Sequence, residues 1–291
     1  MKAQSMKNKN TIVTAGINTD IDVLACVIAY AELLEATAVI PGEFNATIPP
    51  SVRKWGFDYE KTCPEYAEKF ILVDVSDPGY LAKFVQLDKV LEVWDHRPGF
   101  EKYWGAKGRI ENVGACATQI FELFKDKPPA TVTANLLYTA IFANTFNFKA
   151  SVTTERDVRA FGMLKSHISL PNDWIAQYYK ETSGLMLEDI GWAIKSDLKQ
   201  FKFGAMAQLE LWDASRVVGD ADLMQKIYGA MSGFDSWAVN IPSISQGINY
   251  IITPSDALKT ALQSNLGAVF TGDVCTTGKL YLRKELMNFM L

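Results

Sequence analysis

The first half of the chain alternates short β-branched apolar runs with longer stretches whose apolar positions recur at helical spacing. Thr11–Gly16 (TIVTAG) predicts a strand and Val23–Ala36 a helix. Thr37–Pro41 (TAVIP) predicts the next strand, and Phe70–Val75 (FILVDV) and Lys89–Trp94 (KVLEVW) have the length of buried strands. Thr118–Lys125 and Val132–Thr145 are helical in pattern. Strands alternating with helices predict a parallel sheet covered on both faces. In such sheets ligands sit beyond the carboxyl ends of the strands, so the residues that follow each strand carry the interest.

The pattern breaks near Lys180–Leu187 (KETSGLML), where Gly and Ser fall between two helical stretches. Beyond it, Ile190–Lys195 and Met224–Met231 read as helices, and Ala205–Leu211, Trp237–Ile241 and Asn249–Thr253 as strands. Ser255–Asn265 predicts a helix capped by Ser255. The expected organisation is an α/β domain over 1–182, a linker over 183–190 and a smaller α/β domain over 191–291, long enough for its own core.

Composition narrows the function. The 29 basic against 33 acidic side chains give a net charge of −4, which carries no nucleic-acid footprint. No apolar run reaches the roughly 18 residues of a membrane span, and MKAQSMKNKN lacks the apolar core of a secretory signal. The expectation is a cytoplasmic protein with neither membrane nor nucleic-acid partner. Cys26, Cys63, Cys116 and Cys275 form no C-x-x-C pair and read as reduced packing residues. With only His96 and His167 present, a metal here must be held mainly by carboxylates, which favours manganese or magnesium.

Acidic residues and one histidine do follow the strands. Asn18-Thr19-Asp20-Ile21-Asp22 follows the first, Asp74 lies near the end of FILVDV, and Asp95-His96-Arg97 follows KVLEVW. Each has an ordinary structural role open to it. Asp20 and Asp22 are helix-capping material, Asp74 can open a turn, and His96 can be a core histidine with its hydrogen bonds satisfied. His167, in LKSHISLP, reads as a surface or cap residue. If the three strands are neighbours, the acidic residues converge at one sheet edge. A helix N-terminus after Val113-Gly114-Ala115 would add N–H groups for an anion. This predicts a cleft for metal and phosphate.

The ordered set AGINTDID, ILVDVSD, EVWDHRPG and VGACATQIFELF resembles the four N-terminal motifs of the DHH phosphoesterase superfamily. Within it the chain resembles the family II (manganese-dependent) inorganic pyrophosphatases and the Prune-like exopolyphosphatases. FANTFNFKASVTTERDV looks like the segment after the fourth motif, and SDLKQF and YLRKELM look like second-domain phosphate sites. The resemblance implies a parallel-sheet DHH domain, a smaller C-terminal α/β domain and an active-site cleft between them.

Position by position, the resemblance implies one metal on Gly16, Asp20 and Asp74, and another on Asp22, Asp74, His96 and Asn144. Asp95 is implied as a support. Arg97 stands where the family has its substrate-facing histidine, and Lys199, Arg283 and Lys284 match phosphate-binding residues. Gly16 offers no donor and Asn144 a neutral one, so one or two Mn2+ or Mg2+ ions are expected, with the first site weakened.

The implied activity is hydrolysis of a phosphoanhydride, pyrophosphate or short polyphosphate, by metal-activated water. Asp74, His96 and Arg97 would be catalytic, and Arg97, Lys199, Arg283 and Lys284 would bind the phosphate-containing substrate. One alternative is an impaired relative that binds a phosphate-bearing ligand or partner without turnover. The other is a phosphodiesterase on oligonucleotides or cyclic dinucleotides, although no Gly-rich GGGH-type signature is present. The resemblance also admits a homodimer through the N-terminal sheet edge.

Overall fold

A computed structural model describes residues 10–125 and 127–290, and for Lys284 the backbone only. Most of the N-terminal decapeptide lies outside the described residues. The chain divides into two compact units, residues 1–148 with 152–172 and residues 149–151 with 173–291.

The first unit is built on five parallel strands, β1 (Thr11–Thr14), β2 (Thr37–Val39), β3 (Lys69–Val73), β4 (Val90–Asp95) and β5 (Gly108–Ile110). Their spatial order is β2-β1-β3-β4-β5. The three strands that carry the acidic residues are therefore adjacent, with Ile12 opposite Phe70 and Leu72 opposite Val93. Helix α1 (Ile21–Leu34) is buried over its first eleven residues, from Ile21 to Ala31. It packs on α2 (Cys116–Phe121) and α3 (Thr131–Asn144), which is buried from Thr133 to Ala143. These helices have no exposed stripe because protein surrounds them on nearly every side.

After α3 the backbone enters the left-handed region at three successive side-chain-bearing residues, Phe146, Asn147 and Phe148. Each costs about 1–2 kcal/mol. Burial of Phe146, the Phe148–Phe161 ring contact and a bond from Phe148 N–H to the Thr145 hydroxyl hold the turn. It leads into α4 (Glu155–Leu164), which opens with a reciprocal capping box between Thr154 and Asp157.

The second unit contains α5 (Trp174–Glu188) and α6 (Ile190–Asp197). The expected linker 183–190 is thus helical: Gly184 lies inside α5, where it meets nothing within 4 Å. The break in pattern is a change of helix, with Asp189 capping α6. The sheet comprises β6 (Lys199–Phe201), β7 (Gly204–Gln208), β8 (Trp237–Ser243), β9 (Ile248–Ile252), β10 (Phe270–Thr271) and β11 (Val274–Thr276). Their order is β10-β11-β9-β8-β7-β6, antiparallel except for β7 with β8.

Around this sheet lie α7 (Ala221–Met231), α8 (Asp256–Leu266) and α9 (Arg283–Met290). Met206, Ala238, Ile251, Leu258, Leu262, Cys275 and Leu286 form its core. Ser255 holds the cap position of α8, but its side chain makes no capping bond and pairs with the Ser236 hydroxyl. No helix of the described residues is long and apolar enough to cross a membrane.

Asp157 is fully buried and accepts from Gly114 N–H, Ala115 N–H, the Thr118 hydroxyl, and both the N–H and the hydroxyl of Thr154. Its replacement by alanine strands several of these donors. Asp157→Ala is expected to lower stability by about 3 kcal/mol or more, read as a lower urea midpoint with an unchanged denaturant slope.

Candidate metal centre

Three side chains from three strand ends converge in the first unit. Asp22 lies in the first turn of α1, Asp74 directly after β3, and His96 directly after β4. All three are buried, and one ligand atom from each lies within 4.8 Å of the others. His96 Nε2 is 3.4 Å from Asp74 Oδ1 and 3.9 Å from Asp22 Oδ2.

Supporting bonds fix each group. His96 Nδ1 lies 3.2 Å from the Val113 carbonyl, to which it donates as Nδ1–H, so the Nε2 lone pair faces the two carboxylates. The oxygens of Asp22 accept from Ala117 N–H at 2.8 Å and Cys116 N–H at 2.9 Å, and Cys26 Sγ lies 3.5 Å from Oδ1. Asp95 supports the others: Oδ1 accepts from His96 N–H and from Arg97 N–H and Nε, and Oδ2 from the Ser76 hydroxyl. Asp74 holds a left-handed backbone at φ 52°, which turns the chain out of β3 while its N–H stays bonded to Trp94 O.

The donor set fits a hard divalent cation, with two carboxylates and one imidazole presented in its metal-binding tautomer. Electrostatics point the same way. Burial pushes the Asp22 carboxyl up to about 7, with Asp20 adding to it, against the pull of the Ala117 and Cys116 N–H groups and Arg97. Burial also raises Asp74 well above the usual carboxylate range, although Arg97 opposes it. Repulsion from the neighbouring carboxylates adds to both shifts but contributes less than burial does.

The other expected residues are placed as follows. Asp20 caps α1, its Oδ1 accepting from Asp22 and Val23 N–H. Gly16 pairs with Leu81, and a Cβ there would stand 3.0 Å from Tyr80 O. Asn144 ends α3 with its amide directed to Ala140 O of its own helix, at 3.3 Å. Arg97 Nη2 donates to Asp74 Oδ1 at 2.8 Å and to the Asp74 carbonyl, with about a third of its side chain exposed.

In the second unit, Lys199 begins β6. Arg283 opens α9 with its guanidinium on the Asp197 carboxylate and, at 2.8 Å, on Asp197 O. Lys284 follows it, with a side chain outside the described residues. Arg283 N–H also donates to Gln208 Oε1, part of a buried amide network of Gln208, Asn240 and Asn249 that ties down Tyr281.

One expectation is corrected. The helix N-terminus after Val113-Gly114-Ala115 does not wait for an outside anion, because its N–H groups already serve Asp157 and Asp22. Asp157 carried a legible signal in the T-x-x-D spacing of Thr154-Glu155-Arg156-Asp157. Ser76 and Val113, which orient Asp95 and His96, carried none.

The architecture is shared with solved proteins. The structure superposes with a TM-score of 0.78 on a Methanococcus jannaschii protein named as a family II inorganic pyrophosphatase, 22% identical, over 96% of this chain and 99% of that one. An exopolyphosphatase-related protein from Bacteroides fragilis matches at a TM-score of 0.52 and 9% identity, over 99% and 92%.

In sequence, the chain is 24% identical over 290 residues to a Bacillus licheniformis protein named "Probable manganese-dependent inorganic pyrophosphatase", covering 92% of this chain and 93% of that one. A Bacillus cereus protein of the same name is 27% identical over 232 residues, 74% and 75% of the two chains. No protein-family model matches. The resemblance to inorganic pyrophosphatases, read from the motifs, stands in both comparisons; manganese dependence is named by the sequence relatives and the exopolyphosphatase likeness by a solved structure.

Two outcomes follow from this geometry. The folded Asp22 carboxyl keeps its proton up to about 7, whereas an unfolded one loses it near about 4. The metal-free protein is therefore expected to lose stability as pH rises from about 4 to about 7 and then level off. Thermal midpoints in chelator should fall across that window, and saturating manganese should oppose the fall by binding the deprotonated form. Gly16→His must displace the Tyr80 carbonyl and is expected to cost about 1–3 kcal/mol in chemical denaturation.

Proposed function

We propose that the chain is a manganese- or magnesium-dependent phosphohydrolase acting on a phosphoanhydride, inorganic pyrophosphate or short polyphosphate. The observation that carries this reading is the convergence of Asp22, Asp74 and His96 with His96 Nε2 turned toward both carboxylates. The names of the relatives support the substrate class and the manganese preference. When bound there, a divalent cation supplies Lewis-acid activation of water and neutralises phosphate charge.

The residues divide the remaining work. Asp22, Asp74 and His96 hold the cation, while Asp95 and the Val113 carbonyl keep His96 and Arg97 oriented. Arg97 directs Nε and Nη2 at Asp95 and Asp74, and its remaining Nη1 donors serve the phosphoryl group. Lys199, Arg283 and Lys284 remain the proposed phosphate contacts of the second unit, with Arg283 sharing its guanidinium between Asp197 and substrate. Asp20 and Asn144 are secondary in this reading, since one caps a helix and the other bonds its own helix.

A second reading, binding of a phosphate-bearing ligand without turnover, is favoured by Gly16, which offers no donor, and by the commitment of Arg283 to Asp197. The relatives named above are pyrophosphatases and an exopolyphosphatase-related protein, which favours a phosphoanhydride over a phosphodiester. Phosphate release from pyrophosphate and tripolyphosphate, with manganese, magnesium or chelator, tests the proposal. Metal-dependent turnover is expected, falling by at least about 100-fold in Asp74→Asn. Tight pyrophosphate binding without phosphate release would establish the second reading instead.

A further inference from the structure

We propose that the Arg97 guanidinium takes the place of one divalent cation in this centre, so that Asp22, Asp74 and His96 together hold a single ion. The inference rests on the metal-binding reading above and goes beyond it in assigning how many ions the centre takes and why.

The first argument is geometric. Arg97 Nη2 donates to Asp74 Oδ1 at 2.8 Å, and His96 Nε2 lies 3.4 Å from that same oxygen. The guanidinium and His96 Nε2 thus converge on one oxygen of Asp74, so Arg97 already places a positive charge on the carboxylate that a second ion would have to share. The guanidinium is also fixed: Nε donates to Asp95 Oδ1 at 3.1 Å, and Nη2 reaches the Asp74 carbonyl as well. The left-handed backbone of Asp74 turns that carbonyl within reach, so one arginine holds both the side chain and the main chain of the shared ligand.

Charge gives the second argument. Asp20, Asp22, Asp74 and Asp95 carry four negative charges when ionised, and Arg97, bonded to both Asp74 and Asp95, permanently offsets one of them where a second cation would otherwise have to. A guanidinium stays charged at any pH the fold survives, and it cannot be removed by a chelator.

The ligand inventory gives the third. A second ion would rely on Gly16, Asp20 and Asp74, the set that the motif resemblance implies for it. Gly16 supplies no atom, and Asp20 spends Oδ1 on two N–H groups of α1. Asp20 Oδ2 and Asp74 are what remains, and Arg97 already donates to Asp74 Oδ1.

The test is manganese titration of the full chain after chelation, followed by calorimetry and by electron paramagnetic resonance, neither of which depends on turnover. The unmodified chain is expected to take one Mn2+ and to show the resolved six-line signal of an isolated ion. Arg97→Gln uncovers Asp74 and is expected to take a second, weaker ion at millimolar manganese, with the signal broadened by coupling between the two. Arg97→Lys keeps the charge and is expected to stay at one ion.

Two ions or none on the unmodified chain, or one ion on a folded Arg97→Gln protein, would overturn the proposal. Circular dichroism establishes folding of each variant; should Arg97→Gln fail to fold, the counts on the unmodified chain and Arg97→Lys decide. One ion without phosphate release would sink the hydrolase reading and leave this inference standing. Two ions with phosphate release would do the reverse.

Discussion

Two fully buried carboxylates have to find donors inside the protein, and four consecutive N–H groups of the first unit go to them. The N–H groups of Gly114 and Ala115 serve Asp157, those of Cys116 and Ala117 serve Asp22, and the carbonyl of Val113 orients His96. Through these bonds Val113–Ala117 joins the start of α1, the end of β4, α2 and the capping box of α4. A Cβ on Gly114 would stand 2.5 Å from Thr145 and 2.9 Å from Asp157, so only glycine lets the backbone come this close. The geometry proposed to hold a metal is a by-product of satisfying buried acids, which explains why its support extends to residues with no reactive group.

Much of this was legible in the sequence. The alternation of strands and helices, and the placing of Asp22, Asp74 and His96 after strands, follow from periodicity and from the logic of parallel sheets, while the adjacency of those strands comes from the fold. Asp157 was half legible, since T-x-x-D marks a helix start but says nothing of the donors more than forty residues upstream. The direction of Arg97 was not legible. Its charge suggested phosphate, yet the left-handed turn at Asp74 brings both a carboxylate and a carbonyl to it, and no pattern of types foretells that turn. Gly and Ser in KETSGLML suggested a break where the chain forms α5, because packing of Tyr178, Tyr179, Thr182 and Met186 outweighs a modest loss of helix propensity.

The second unit fixes the start of α9 in a similar way. Asn240 and Asn249 are fully buried yet satisfied by each other, by Gln208 and by the backbone of Tyr281. Such a network permits one arrangement of the entry to α9, because any other leaves an amide unbonded at low dielectric. Arg283 therefore leaves the backbone at a fixed point, whatever its guanidinium binds.

The all-parallel order β2-β1-β3-β4-β5 has a consequence for how the centre comes into being. Its ligands belong to strand ends that meet only after long stretches of chain have closed, so no local segment holds even two of them in place. Contacts of this kind form slowly and together. A chain still being synthesised, or one whose β4 has not yet paired with β3, has no site to fill. Capture of the proposed ion would then report that the sheet is finished, and an ion arriving early would have nothing to misdirect.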